Sequence, residues 1–214
     1  MLRCTAVSVG PLEVNCWLIV DEASGQLAVV DPGDDADRIV AAIRETGATP
    51  TEIWLTHAHF DHVGGLEELL RSYDIPVRMH PAELPVYASA AMYASAFGLR
   101  IEQPVAATVP LAEGDTLTLG GLSFDVMHAP GHSPGHVVIH GHGIAIVGDC
   151  LFAGSVGRTD LPLASPSALA ASLQRIAALP IETQVLPGHG KPTTVGTERR
   201  TNPFLNGEAR VLAS

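Results

Sequence analysis

Short apolar runs broken by Gly, Pro and Asp recur along the chain, with segments of helical period between them. Cys16-Trp17-Leu18-Ile19-Val20 and Leu27-Ala28-Val29-Val30 predict paired strands joined by a turn around Ser24-Gly25. From Asp37 to Thr46 the apolar positions Ile39, Val40 and Ile43 have helical spacing, with Gly47 as the stop. Ile53-Trp54-Leu55-Thr56 predicts a short buried strand, and Leu66, Leu69, Leu70 and Tyr73 a helix beyond it. Residues 76–80 read as another strand. Residues 82–98, rich in Ala, Met and Tyr, read as helical, covering either core or the mouth of a site.

The pattern then repeats. Residues 116–119 and 122–127 predict a hairpin about Gly120-Gly121, and residues 137–140 and 144–147 a second strand pair. Residues 167–179 form an amphipathic helix with Leu169, Leu173 and Ile176 on one side. Residues 183–186 predict a last strand, and Asn202-Pro203 the cap and first position of a closing helix. No low-complexity linker divides the chain. The expectation is one domain over residues 1–214, of α/β (α+β) class: a two-sheet core with helices outside.

Composition narrows the function. At 214 residues, 46% hydrophobic and 16% charged, the chain is long enough for a real core and has a globular balance. A net charge of −11 argues against general nucleic-acid binding. Lysine occurs once, at Lys191, so Arg carries nearly all the positive charge. Cys4, Cys16 and Cys150 show no C-x-x-C spacing, which disfavours a disulfide framework or a four-cysteine zinc site. Cys150 is expected buried rather than catalytic, because neighbours on a strand face opposite ways. The first residues lack the apolar core of a signal peptide, and no run approaches a membrane span. A cytoplasmic protein with no membrane partner is expected.

Candidate chemistry concentrates in Thr56-His57-Ala58-His59-Phe60-Asp61-His62. Neutral imidazole is the usual ligand of zinc and its neighbours, and a carboxylate adds charge. The i, i+2 spacing of His57 and His59 would diverge on a helix, so a loop at the end of a strand is expected. Asp61 falls near the next helix's N-terminus, where negative charge is favoured. A His-rich surface loop without metal is the bland alternative. Against it, His132, Asp149 and His189 also follow apolar strands, so four strand ends converge. Asp31, at a strand exit, reads either as a hydrogen-bond acceptor behind a ligand histidine or as a turn former. His128 and His136 flank His132 and could orient ligands. His80 reads as packed or exposed, and His140 and His142 as exposed across a turn.

From Asp31-Pro32-Gly33 through Gly131-His132 and Gly148-Asp149 to Gly188-His189, the sequence resembles the metallo-β-lactamase superfamily, and within it the small bacterial glyoxalase II-like hydrolases. The resemblance implies a four-layer αββα sandwich of two mixed sheets and a dinuclear centre. It implies that His57, His59 and His132 hold one metal and Asp61, His62 and His189 the other, with Asp149 bridging. Two divalent ions are implied, zinc first, with iron or manganese compatible with His/Asp ligands. Such a pair holds a water as hydroxide near neutral pH and stabilises an oxyanion, with Asp61 as the catalytic residue that aims it.

The implied activity is thioester hydrolysis, with S-D-lactoylglutathione or a related small-molecule thioester as substrate. The alternative is a persulfide dioxygenase with a single iron on His57, His132 and Asp149, a class that shares the Gly157-Arg158-Thr159-Asp160 type of segment. Arg158, Lys191, Arg199 and Arg200 are candidate contacts for the carboxylates of a glutathione conjugate, although Arg158 stands beside Asp160 and salt bridging is the simpler expectation for it. Longer glyoxalase II enzymes carry a C-terminal helical domain that helps bind glutathione. Here only the short stretch Gly190 to Ser214 follows His189, which opens the choice of thiol carrier.

Overall fold

Period-two alternation between two buried faces organises the fold. The computed structural model describes residues 1–211. Strand β1 (Leu2–Val9) pairs antiparallel with β2 (Val14–Asp21), and β2 with β3 (Gln26–Val30). Helix α1 (Ala36–Thr46) then returns the chain so that β4 (Thr49–Trp54) lies parallel to β3. A one-turn helix α2 (Phe60–Val63) and α3 (Leu66–Ser72) lead to β5 (Val77–Met79). After a 3-10 turn at Pro81–Glu83 and the short helices α4 (Leu84–Tyr87) and α5 (Ala90–Ala96), β6 (Thr108–Pro110) closes a six-stranded mixed sheet in the order β1-β2-β3-β4-β5-β6.

The second half builds the second sheet. Strands β7 (Thr116–Leu119), β8 (Leu122–His128), β9 (Val137–Gly141) and β10 (Ile144–Gly148) form an antiparallel meander. The small pair β11 (Leu151–Phe152) and β12 (Ser155–Val156) follows, then α6 (Pro166–Ala177), β13 (Gln184–Pro187), β14 (Thr193–Thr194), α7 (Val195–Thr201) and α8 (Pro203–Asn206). Strand β13 runs parallel to β10, giving the order β14-β13-β10-β9-β8-β7.

Three apolar layers hold these elements. Trp17, Ile19, Val30 and Trp54 face Phe124, Val126, Ile139 and Ile146 between the sheets, with Trp54 and Phe124 edge to face at 5.6 Å. The alternate positions Cys16, Leu18 and Val20 turn to the other side, against Ile39, Ile43, Leu66 and Leu69 of the helices. On the far side, Val138, Ala145 and Val147 pack on Leu169, Leu173 and Ile176 of α6. Because both sheet faces are covered, β2 is buried at every position, and residues 16–20 within it read as a continuous apolar run. Each fully buried large side chain contributes about 1.5–3 kcal/mol. The result is the expected αββα sandwich of two mixed sheets with helices outside.

Several boundaries differ from the sequence expectation. β4 starts earlier and ends at Trp54, because Leu55 and Thr56 leave the ladder to enter the His57 loop. The strands β1 and β6 and the pair β11 and β12 had not been expected; β1 and β6 are half-exposed edges of the first sheet without a long apolar signal. Residues 82–98 form two short helices instead of one, and they do both jobs. Tyr87, Ala90 and Ala94 are core, while Val86, Tyr93 and Phe97 face a cavity.

Candidate metal centre

Four strand ends deliver the cluster. His57 and His59 follow β4, His132 follows β8, Asp149 follows β10 and His189 follows β13. Asp61 and His62 stand on α2, a single turn that had been expected as loop. An isolated bridge between Val14 and His189 joins the two sheets beside the site.

The seven residues predicted from sequence come together. Ligand atoms of His57, His59 and His132 lie within 4.8 Å of one another, and so do those of Asp61, His62 and His189. Asp149 lies between the two groups: Oδ1 is 3.4 Å from His62 Nε2, and Oδ2 is 3.6 Å from His132 Nε2 and 3.5 Å from His189 Nε2. Asp61 Oδ2 is 3.3 Å from His189 Nε2.

The surrounding chain aims these atoms inward. His132 donates from Nδ1 to the Arg158 carbonyl at 2.8 Å, and His189 from Nδ1 to the Leu12 carbonyl at 2.9 Å. His62 donates from Nδ1 to Asp31 Oδ2 at 3.1 Å. His57 donates from Nδ1 to Thr56 Oγ at 3.0 Å, and that hydroxyl donates to Asp31 at 2.6 Å. In each ring the outer nitrogen is spent on an acceptor, so Nε2 faces the centre and is the atom left to ligate a cation when it carries no proton. Asp31 is therefore an acceptor behind a histidine, held at φ 52 by its own N–H to the Trp54 carbonyl. A third grouping, Asp31 with His57 and His62, is accounted for by these hydrogen bonds.

The donor set fits a divalent cation. Among the described residues, the buried side-chain atoms without a hydrogen-bond partner are His57 Nε2, His62 Nε2 and Asp149 Oδ1, all within the cluster. An unpaired buried polar atom costs about 1–3 kcal/mol, and cations coordinated by these lone pairs would offset that cost. His59 Nδ1 and His132 Nε2 approach to 2.9 Å, as two donors aimed at one point do. Burial pushes His57 well below the ordinary imidazole range and His59 down to about 3, favouring the neutral, ligating form. Burial opposes charge on Asp149 too, yet His62 holds its carboxyl well below the usual range. His62 is raised in return by Asp149 and Asp61 against the cost of burial, and His189 rises to about 9 by the same carboxylates against the same cost.

The other histidines divide as follows. His136 is fully buried, stacks on His57 at 4.8 Å and accepts the Asp149 N–H at 3.1 Å, so it places that residue. His128 donates to the Pro134 carbonyl and stacks on His80, away from the cluster. Cys150 is buried, with its thiol toward the Ala129 carbonyl.

Glu83 escaped sequence reasoning. It is fully buried and takes hydrogen bonds from Ala58 N–H, Gly135 N–H and the Ser133 hydroxyl, joining the His57–His59 loop to the His132 loop. Burial pushes its carboxyl up against those bonds. A signal existed: it is the one charged residue between 82 and 98.

The cluster opens into a cavity of about 680 Å³ walled by Phe60, Val86, Tyr93, Phe97, Phe152 and Leu163. Arg158 also lines it, but is forked onto Asp160 by two bonds of 2.6 Å. The other cationic candidates lie elsewhere. Lys191 borders a separate groove with Thr193 and Thr197, and Arg199 and Arg200 are exposed on α7.

A sandwich with clustered imidazoles and carboxylates at its strand ends, suited to divalent cations, defines the class as a metallo-hydrolase. The model of the metallo-beta-lactamase superfamily matches residues 9–189, and the chain belongs to that superfamily. It is 40% identical over 210 residues to the probable metallo-hydrolase YqgX of Bacillus subtilis, covering 96% of this chain and 99% of that one. It is 34% identical over 212 residues to the hydroxyacylglutathione hydrolase GloC of Haemophilus influenzae, covering 95% and 98%. Its fold matches the crystal structure of TTHA1623 in a di-iron-bound form with a TM-score of 0.87 and 49% identity, covering 94% and 100%.

Proposed function

We propose that the chain is a metal-dependent thioester hydrolase of the glyoxalase II kind, carried by one domain over residues 1–214, with S-D-lactoylglutathione as the reference substrate. The observation that carries this is Asp149, placed between two triads of ligand atoms. His57, His59 and His132 would hold one divalent cation and Asp61, His62 and His189 a second, with Asp149 shared. When bound, such a pair lowers the pKa of water from 15.7 to about 7 and polarises a carbonyl.

The chain's own residues do the rest. Asp61, whose carboxyl is lowered by His62 and His189 against the cost of burial, accepts a hydrogen bond from the attacking water and orients it. The cavity walls hold the acyl group beside the cluster. Water oxygen bonds to the acyl carbon as one of the water's protons is released to solvent, the C–S bond breaks, and the thiolate leaves to take a proton from solvent. Outside the cluster the titratable side chains lining the cavity are Tyr93 and Arg158 among the described residues. A thiolate suits that wall, since it departs without help from a general acid.

The similarity to GloC supports the thioester. The di-iron form of TTHA1623 supports a pair of metals and makes iron a candidate beside zinc and manganese. The test is metal content together with thioester loss and oxygen uptake on one preparation. About two metals per chain and hydrolysis without oxygen uptake are expected. A single iron with oxygen consumed on a persulfide substrate replaces this reading with a dioxygenase.

A further inference from the structure

The cavity beside the cluster is built to hold something apolar. Leu12, Phe97 and Leu163 stand on its rim at 43%, 54% and 59% exposure, among the most exposed large apolar side chains of the described residues. Exposed apolar surface gathered at one concavity marks a ligand groove. Leu163 is placed there at a cost. The turn closed by Ala164 N–H to the Leu161 carbonyl has Pro162 in second position and Leu163 in third. Leu163 there adopts φ 67, where Gly or Asn is favoured. A leucine at that position gains no core packing, but it presents an apolar side chain to the cavity. Phe97, another lining residue, is braced against Phe60 at 5.5 Å.

Charge is missing where a glutathione conjugate would need it. Arg158 is the one Lys or Arg lining the cavity among the described residues, and its fork is occupied by Asp160. Lys191, Arg199 and Arg200 lie outside it. A three-carbon lactoyl group would leave much of an apolar cavity of about 680 Å³ in water.

We infer that the site selects thioesters by an apolar acyl chain of several carbons, seated between Phe97 and Leu163, and that it does not read the charges of the thiol carrier. The chemistry of this inference rests on the thioester-hydrolase reading; its binding part does not.

The test separates the two. Titration calorimetry on the metal-loaded protein compares S-methyl-, S-butyl- and S-hexylglutathione, whose S-alkyl group stands in for the acyl chain. S-hexyl-N-acetylcysteamine then supplies the same chain on a carrier without carboxylates. A buried methylene is worth about fourfold in affinity, so S-hexyl is expected to bind at least about tenfold tighter than S-methyl. Removing the carboxylates is expected to cost less than about threefold, as for exposed charges. Phe97→Ala and Leu163→Ala, both on the exposed rim, should each lower the hexyl-to-methyl ratio. Equal binding of S-methyl and S-hexyl, loss of binding without the carboxylates, or an unchanged ratio in both variants overturns the inference.

Turnover of lactoyl and hexanoyl thioesters on the same samples completes the separation. Chain-length preference in binding without turnover of any thioester removes the hydrolase reading and keeps the apolar site. Turnover of the lactoyl thioester with no gain from chain length does the reverse.

Discussion

Glu83 Oε2 accepts the Ala58 N–H at 2.8 Å, so a carboxylate from the turn after β5 holds the loop that carries His57 and His59. The same carboxylate holds Ser133 and Gly135, on either side of which stand His132 and His136. Glu83→Ala would leave three buried donors unpaired and should cost about 3 kcal/mol in denaturant unfolding. Its effect on metal affinity should fall mainly on the His57, His59 and His132 group. Glu83→Gln keeps one acceptor and should recover part of both. Metal titration of the two variants checks this; equal affinity in all three proteins would make Glu83 purely a fold residue.

Asp149→Asn keeps the shape and loses the charge and one good donor oxygen. It should weaken metal binding and lower thioester hydrolysis by orders of magnitude while circular dichroism stays near wild type. Asp160→Asn, which breaks only the fork to Arg158, should leave metal content unchanged. Wild-type metal content and turnover in Asp149→Asn would defeat the shared-carboxylate assignment.

Gly188 precedes His189 because no side chain fits there. A Cβ would lie 2.2 Å from Asp149 Oδ1 and 2.7 Å from His62 Cε1. Gly188→Ala should therefore push Asp149 off the cluster, costing about 1–3 kcal/mol of stability as overpacking and a larger fraction of metal affinity. Comparing melting temperature and metal content in Gly188→Ala and Gly25→Ala isolates the effect, since a Cβ at Gly25 meets no atom within 4 Å, although its φ of 71 strains any side chain there too.

Asp21 joins the sheets at their other end, with Oδ2 accepting the Gly121 N–H at 2.9 Å. That bond, together with those from Ser24 and Ala23, lowers its carboxyl from 3.8 to about 2. The folded value lies below the unfolded one, so the contribution to stability is present above about pH 4 and is lost as pH falls through 2. Asp21→Asn should flatten the stability profile across that window, lowering stability near neutrality and approaching wild type only near pH 2, measured by urea unfolding from pH 2 to 7.

The residues of the cluster were legible because their signals are local. A histidine or aspartate within a few residues of an apolar run reads as standing near a strand end, and four such ends in a two-sheet pattern point to convergence. The helices at 36–46 and 166–177 were legible for the same reason, since each buries one face at helical spacing.

What tertiary structure alone decided is contact between parts far apart in sequence. Whether Asp31 is a turn former or the acceptor behind His62 depends on where α2 packs against the end of β3, and spacing says nothing about that. Glu83 reads as an ordinary charged residue until burial brings it between two loops. Arg158, Lys191, Arg199 and Arg200 are all candidate carboxylate contacts in sequence, with only Arg158 marked by a neighbouring Asp160, and packing alone puts Arg158 at the cavity and the others outside it. The rim itself joins Leu12, Phe97 and Leu163 from three separate stretches. Residue type and period are properties of the local chain; a shared wall or a buried hydrogen bond exists only once the two sheets have closed on each other.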